Sequence, residues 1–319
     1  MARECPSEGQ LRAIMSKRFP ADIADARVVH HHCNTHVYVT LDDGTQVVVR
    51  ICDGPYWTEK ADRVGKFKSE QFAWETLGRV DGILTPYVIT VDTDEAVVPY
   101  PYLIMTHVPG TQMSEVFPTL PHDHQVQLLE EFGALASRIH CMPVDLANVP
   151  REVMRWSGLD SDLRGYLLDL TARGLMTAHA HDRLQRLLDL HSTRLAAMDD
   201  DVVFLHGDLH FGNILLQQDN ERWRICSLVD AELAGIGPRG RELTALEQFS
   251  FRQLSEPGMR DAFLRGYGDA YARDDYKLAY LTSELDPDWL NAGLLSTIES
   301  ADFSDDLDWI DIFSEAPVR

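Results

Sequence analysis

The sequence lacks most of what would take a chain out of the ordinary folded class. Its five cysteines, Cys5, Cys33, Cys52, Cys141 and Cys226, are odd in number, scattered and never spaced as C-x-x-C. That pattern argues against a disulfide framework and against a zinc site. No run of about eighteen apolar residues occurs, and Met1-Ala2-Arg3-Glu4-Cys5 opens without an apolar signal core, so no membrane association is expected and the expected location is cytoplasmic. Basic residues are scarce: 29 Lys and Arg stand against 51 Asp and Glu, for a formal net charge of -22. A field of that sign argues against binding nucleic acid or an anionic membrane surface. It suits cationic small molecules, or ligands that arrive with magnesium, although plain solubility accounts for it equally well. Internal repeats, low-complexity tracts and Gly/Ser linkers are absent too. What remains is 319 residues, 45% hydrophobic and 25% charged, enough for one large domain or two lobes.

Residue periodicity sorts the chain into two regions. Ser7, with Gln10 three positions on, predicts a capped helix over about 8–19. Strand-like runs follow at 26–32, 36–41 and 46–51, the last two joined by the tight turn Asp42-Asp43-Gly44. A helix is expected over about 60–80 with Phe67, Phe72 and Leu77 inward, then strands near 87–91 and 102–107. Val108-Pro109-Gly110 breaks the pattern. Beyond it the periods are mostly helical, at 122–141, at 161–198 with a break near Gly174, and from 242 onward, with two short strands over 213–216 and 223–229. The expectation is an α+β protein with a small β-rich N-terminal lobe, 1–108, and a larger helical C-terminal lobe, 109–319.

The stretch with the most chemistry in it is Leu205-His206-Gly207-Asp208-Leu209-His210-Phe211-Gly212-Asn213-Ile214-Leu215-Leu216, and the run Ile225-Cys226-Ser227-Leu228-Val229-Asp230 follows it. Phosphoryl transfer needs a carboxylate to accept a hydroxyl proton and oxygen ligands, a carboxylate among them, to hold magnesium. Asp208, Asn213 and Asp230 could supply that set. Turn-forming or capping aspartates are the simpler alternative.

Together these features resemble the aminoglycoside phosphotransferase family of the protein-kinase-like fold. The resemblance covers nearly the whole chain and rests on His206-Gly207-Asp208-Leu209-His210-x-x-Asn213 followed by Val229-Asp230. It implies a bilobal fold in which residues 1–108 bind nucleotide and 109–319 carry catalysis and substrate binding. It implies Asp208 as the residue that orients the acceptor hydroxyl and takes its proton, with His210 near the transferred phosphate and His206 shaping the loop. Asn213 and Asp230 would hold Mg²⁺, with ATP or GTP as the phosphate donor. Arg50, ending the 46–51 strand, stands where kinases place a phosphate-pairing lysine, and Glu70 resembles the helix glutamate that steadies it. An Arg50–Glu70 pair could be bidentate; Glu75 competes for that role. Met105, Thr106, His107 and Val108 resemble the hinge that receives adenine. The segments Tyr100-Pro101-Tyr102-Leu103-x-Met105 and Phe303-Ser304-Asp305-Asp306-Leu307-Asp308-Trp309 lean toward the hygromycin-type branch.

Two stretches depart from the family pattern. His30-His31-His32-Cys33-Asn34-Thr35-His36, which would cover the phosphates, has no glycine for close backbone approach. Its histidines invite a metal reading, but no second ligand cluster is evident. After Asp230, where relatives carry a bracing aspartate, the run is Gly235-Ile236-Gly237-Pro238-Arg239-Gly240-Arg241-Glu242-Leu243, so Glu242 either substitutes or the brace is missing. Glu232 matches a frequent acidic position and could add a metal or supporting contact. The region after Glu284 is acidic, and Asp302, Asp305 and Asp306 are candidate contacts for a cationic substrate, against the alternative of a solvated helix face. Three readings follow. The first is an O-phosphotransferase acting on an aminoglycoside-like antibiotic, hence a resistance enzyme. The second is a kinase of choline, a sugar, a macrolide or another metabolite, and the third a catalytically defective binding protein. A monomer or homodimer is expected.

Overall fold

Ser7 accepts a hydrogen bond from the Gln10 amide at 3.2 Å while the Gln10 side chain accepts one from the Ser7 amide at 2.9 Å. This reciprocal cap starts α1 (Glu8–Ser16). The structure, a computed structural model, describes residues 5–30, 34–54, 60–143, 154–155, 159–220, 222–251, 254, 258–268, 277–278, 280–281 and 292–299. It divides into two compact units. The first is built from Met1–Gly110 together with Cys226–Glu232, and the second from Thr111–Ala147, Met154–Ile225 and Leu233–Arg319.

In the first unit, β1 (Ile23–His30), β2 (Thr35–Leu41) and β3 (Gln46–Ile51) are followed by α2 (Lys60–Leu77), β4 (Val88–Asp92) and β5 (Tyr102–Thr106). The five strands form one antiparallel sheet in the order β1-β2-β3-β5-β4. Strand alternation explains its two cores. Val47, Val49 and Ile51 of β3 pack with Leu11, Ile14 and Met15 of α1, whereas Val48 packs with Phe67 of α2, Leu103 and Met105. Arg50 shares the Val48 face, so a period of two delivers a guanidinium to the side that α2 covers. Phe67 and Leu77 are fully buried and Phe72 is half-buried. Each fully buried apolar side chain of this size stabilises the unit by about 1.5–3 kcal/mol.

The second unit begins with β6 (Thr111–Gln112), α3 (Met113–Val116), α4 (His122–His140), β7 (Met154–Arg155), α5 (Leu159–Ala172), α6 (Ala178–Leu190) and α7 (Ser192–Asp200). It continues with β8 (Val202–Leu205), β9 (Ile214–Asp219), β10 (Arg222–Leu228), β11 (Gly235–Pro238), α8 (Gly240–Phe249), α9 (Gly258–Tyr267) and α10 (Ala292–Glu299). The helical region expected over 161–198 has its break at Gly174, as the residue pattern implies, and a second one at His191. Two small sheets, β10-β9-β6 and β7-β11-β8, flank the loop that joins β8 to β9. The end of β10 carries the chain back into the first unit. Helices α4 and α9 cross at backbone contact: a Cβ on Gly133 would lie 2.0 Å from the Phe263 carbonyl oxygen, and one on Gly266 would lie 1.9 Å from that of Glu130. Only glycine permits that approach, which sets Phe132 and Phe263 edge to face at 5.4 Å. Among the described residues no helix is long and apolar enough to cross a membrane.

Candidate active site

The β8–β9 loop is held by alternating anchors. Leu209 and Phe211 are buried, and the Phe211 ring sits 4.9 Å from that of Phe117 and 6.0 Å from that of Phe132. With these two pinned inward, Asp208 and His210 are left partly exposed, their side chains 26% and 22% accessible. Gly207 has φ +85°, and a Cβ there would lie 1.9 Å from the Leu233 carbonyl oxygen, so the sharp entry to the loop requires glycine. The Asn213 side-chain amide donates to the Asp208 backbone oxygen at 2.8 Å and to its carboxylate Oδ2 at 2.9 Å. His210 Nδ1 accepts from the Gly212 amide at 3.0 Å. A neutral His210 therefore carries its proton on Nε2, which lies 3.4 Å from Asp208 Oδ2. The structure thus gathers Asp208, His210 and Asn213 around one carboxylate oxygen.

Glu242 fixes the loop from below. Its fully buried carboxylate accepts from the backbone amides of His206 at 2.5 Å, Gly207 at 3.0 Å and Leu209 at 3.3 Å. Of the two alternatives left by the sequence, the brace is present and Glu242 supplies it. The Ser250 hydroxyl accepts from the Phe211 amide at 2.9 Å, a contact no sequence pattern signals. His206 is itself buried and contributes backbone, as expected of a loop-shaping residue.

The first unit holds a second cluster, and it differs from expectation in one respect. Arg50 does not clasp Glu70 with both arms. Its Nη1 donates to Glu70 Oε1 at 2.6 Å, while Nη2 donates to Asp230 Oδ1 at 3.0 Å and to Glu232 Oε2. Arg50 and Glu70 are both fully buried, and Glu75 is exposed, which settles which glutamate pairs with Arg50. Lys66 adds a cation, with Nζ 2.8 Å from Glu232 Oε2, and the Asn34 amide donates to the same oxygen at 2.6 Å. Burial alone would raise the Glu232 carboxyl, but Arg50, Lys66 and Asn34 outweigh it and bring it down to about 2. Burial would likewise weaken the Arg50 cation, and its three carboxylate neighbours reverse that, keeping the guanidinium charged. Glu70 is pushed above the ordinary carboxyl range by burial, which Arg50 only partly offsets because Glu232 and Asp230 share its charge. Asp230 occupies the left-handed region at φ +63°, a strained conformation for a non-glycine residue, and its side chain is 37% exposed. Lys66 was invisible in the sequence as a site residue; the one hint was its place one helical turn before Glu70 on α2.

Met105 is buried in the core shared with Phe67. The Thr106 amide donates to Tyr87 O at 3.0 Å and the His107 amide to Gln46 O at 3.1 Å, while Val108 follows beyond the end of β5. Burial lowers the His107 imidazole, with Arg27 adding to the effect. Asp302, Asp305 and Asp306 lie outside the described residues, as do His31, His32 and Cys33 of the histidine-rich stretch. Among the described residues no cluster of His, Cys, Asp and Glu has the makings of a metal site by itself.

Residues 27–277 match the model of the phosphotransferase enzyme family (APH). The chain belongs to this family. The phosphotransferase also shares its fold with solved members. Macrolide 2′-phosphotransferase MphH from Brachybacterium faecium aligns at TM-score 0.62 and 15% identity, over 91% of this chain and 90% of that one. The aminoglycoside phosphotransferase APH(3″)-Id from Streptomyces rimosus, in complex with ADP and streptomycin, aligns at 0.57 and 18% over 87% and 97%. ADP-bound APH(2″)-Ib aligns at 0.65 and 12% over 96% and 99%. Comparison with curated protein sequences gives no match. The phosphotransferase is therefore a small-molecule kinase of the bilobal, protein-kinase-like α+β fold.

Proposed function

We propose that this phosphotransferase moves the terminal phosphoryl group of ATP or GTP, with Mg²⁺, to a hydroxyl of a cationic, aminoglycoside-like molecule. The observation that carries the reading is the Asp208 carboxylate, fixed by Asn213 and His210 on a loop whose amides Glu242 holds. In this reaction class the protein mainly positions reactants and neutralises charge. Asp208 would orient the acceptor hydroxyl and take its proton on Oδ1, since Asn213 and His210 hold Oδ2. His210 would keep that carboxylate in place through Nε2.

The residues present fit a magnesium ion and a nucleotide. Because Asn213 spends its amide protons on Asp208, its side-chain oxygen is the atom left to act as a ligand. The first-unit cluster sets three carboxylates, Glu70, Asp230 and Glu232, against two cations, Arg50 and Lys66, so it can accept further positive charge at the partly exposed Asp230. Asn213 and Asp230 are each proposed as an oxygen ligand for Mg²⁺, which in this chemistry neutralises charge on the phosphates. Arg50, steadied by Glu70, would face the phosphates. With the Thr106 and His107 amides bonded within the sheet, Val108 is the next backbone group along the hinge for a purine base.

The acceptor reading rests on the net charge of -22 and on the streptomycin complex of a fold relative. MphH, whose name gives a macrolide as its substrate, supports a second reading in which the acceptor is a larger hydroxylated metabolite. Incubation with ATP or GTP and Mg²⁺ against aminoglycosides, macrolides, choline and ketoamine sugars, followed by product mass spectrometry, separates the two. A phosphorylated aminoglycoside supports the first reading, and one found only on another class replaces it.

A further inference from the structure

Behind the catalytic loop of the second unit lies a run of buried and half-buried polar groups that the transfer reaction does not use directly. Arg239 Nε lies 2.6 Å from Asp201 Oδ2, and the Arg239 cation acts on the Tyr267 hydroxyl, lowering it against the effect of burial. Tyr267 OH lies 2.6 Å from His140 Nδ1 with the rings edge to face at 5.6 Å. The other His140 nitrogen, Nε2, has no hydrogen-bond partner among the described residues and lies 3.7 Å from Glu242 Oε2, both side chains being fully buried.

The direction of each bond follows from what each group can donate. A carboxylate can only accept, so the His140 nitrogen that faces Glu242 Oε2 is the one favoured to carry an N–H. With Nε2 protonated toward Glu242, Nδ1 of a neutral His140 is the acceptor and the Tyr267 hydroxyl donates to it. Burial and Asp201 hold the Tyr267 hydroxyl up at about 12, so it keeps that proton at any pH the enzyme would meet. At 3.7 Å the His140–Glu242 contact is electrostatic, and a small displacement brings it to the about 3 Å of a hydrogen bond. Among the described residues, the buried Glu242 carboxylate otherwise accepts from backbone amides. An N–H aimed at Oε2 stabilises its charge, whereas the other tautomer would set a lone pair against it.

We propose that His140 is a positioning residue for the β8–β9 loop. Held between the Tyr267 hydroxyl and the Glu242 carboxylate, it is locked in the Nε2–H tautomer and orients the carboxylate that holds the amides of His206, Gly207 and Leu209. The catalytic consequence rests on the reading of Asp208 as the base; the tautomer does not.

The test therefore has two arms. Nitrogen-15 NMR of histidine-labelled protein, assigned by loss of the signal in His140→Gln, is expected to show a protonated Nε2 and a bare Nδ1 for His140. In Tyr267→Phe that fixed preference is lost. Finding the proton on Nδ1 in the native protein overturns the proposal, whatever the enzyme turns over. In the kinetic arm, His140→Phe is expected to lower kcat by about tenfold or more with the nucleotide KM unchanged. His140→Gln, whose amide can still donate to Glu242, recovers most of that loss. Equal kcat in all three proteins overturns the positioning role. If His140→Phe does not fold, Tyr267→Phe stands in for it: a lowered kcat at unchanged nucleotide KM supports the role, and wild-type kcat refutes it. Absence of turnover in the native protein would count against the Asp208 reading and leave the NMR arm decisive for the tautomer.

Discussion

Replacing Glu242 by glutamine keeps the shape of the side chain and removes its charge. One carboxylate now serves three loop amides, with Oε2 on His206 at 2.5 Å and Oε1 on Gly207 at 3.0 Å and Leu209 at 3.3 Å. Glutamine has one acceptor oxygen. If that oxygen stays on Gly207 and Leu209, the new NH₂ faces the His206 N–H, donor against donor, in a fully buried site. Charge-assisted bonds are worth about 1.5–3 kcal/mol each, and a buried amide left unpaired costs about 1–3 kcal/mol. One bond lost outright and two weakened give a destabilisation of about 3 kcal/mol. In a chain this long that is a fall in thermal midpoint of roughly 5 °C or more. The catalytic effect is expected to be the larger signal. A loop displaced by about an ångström takes Asp208 out of line, and misplacement on that scale costs about a hundredfold in rate. Nucleotide KM is expected to change much less than kcat, since Arg50 and its partners belong to the first unit and Asn213 alone of the proposed nucleotide-side groups lies on the displaced loop. Differential scanning calorimetry and steady-state kinetics on Glu242→Gln check both numbers. A variant with native midpoint and native kcat would refute the claim that this carboxylate fixes the loop.

Other outcomes follow from single contacts. Arg50→Ala leaves Glu70 and Glu232 without their shared cation, and removing one partner of a buried pair costs about 3–5 kcal/mol, so urea unfolding is expected to show a large loss of stability along with lost nucleotide binding. Glu232 has its carboxyl depressed to about 2 in the folded state, so its stabilising contribution is present above its ordinary range near 4.5 and is lost as pH falls toward 2. The stability difference between native protein and Glu232→Gln is expected to shrink by about 3 kcal/mol across that window, which acid titration of unfolding measures. Burial acts on Glu70 in the opposite sense, relieving strain as it protonates, so Glu70→Gln is expected to deepen rather than flatten the acid loss. Gly207→Ala drives a Cβ into the Leu233 carbonyl at a positive φ, and loss of kcat without loss of nucleotide-induced thermal stabilisation is the expected result.

Long, periodic elements were legible in the sequence. The Ser7 cap, the 46–51 strand, the 60–77 helix and the 122–140 helix all lie close to where their residue patterns put them. The short strands β6, β7, β8 and β11 were not, because at two to four residues none is long enough to show a period; only tertiary pairing makes them strands. The same distinction divides the site. The Asp208–Asn213 spacing is local and can be read from the chain. Lys66, Asn34 and Glu232 meet from three distant segments on one oxygen, and Tyr267 meets His140 across the α4–α9 crossing. Contacts of that kind leave no spacing to read. Glu242 falls between the two cases, since its position could be anticipated but its three amide partners could not.

Asp208→Asn tests the central claim most directly. It keeps the size of the side chain and removes the proton acceptor, and loss of a general base typically costs about 10²–10⁴-fold in rate. Each protein would be incubated with ATP or GTP, Mg²⁺ and the acceptor that the native enzyme phosphorylates, with product formation followed by mass spectrometry and nucleotide binding by calorimetry. The expected result is a loss of transfer in that range with nucleotide affinity preserved. Transfer at the native rate by Asp208→Asn would contradict the account.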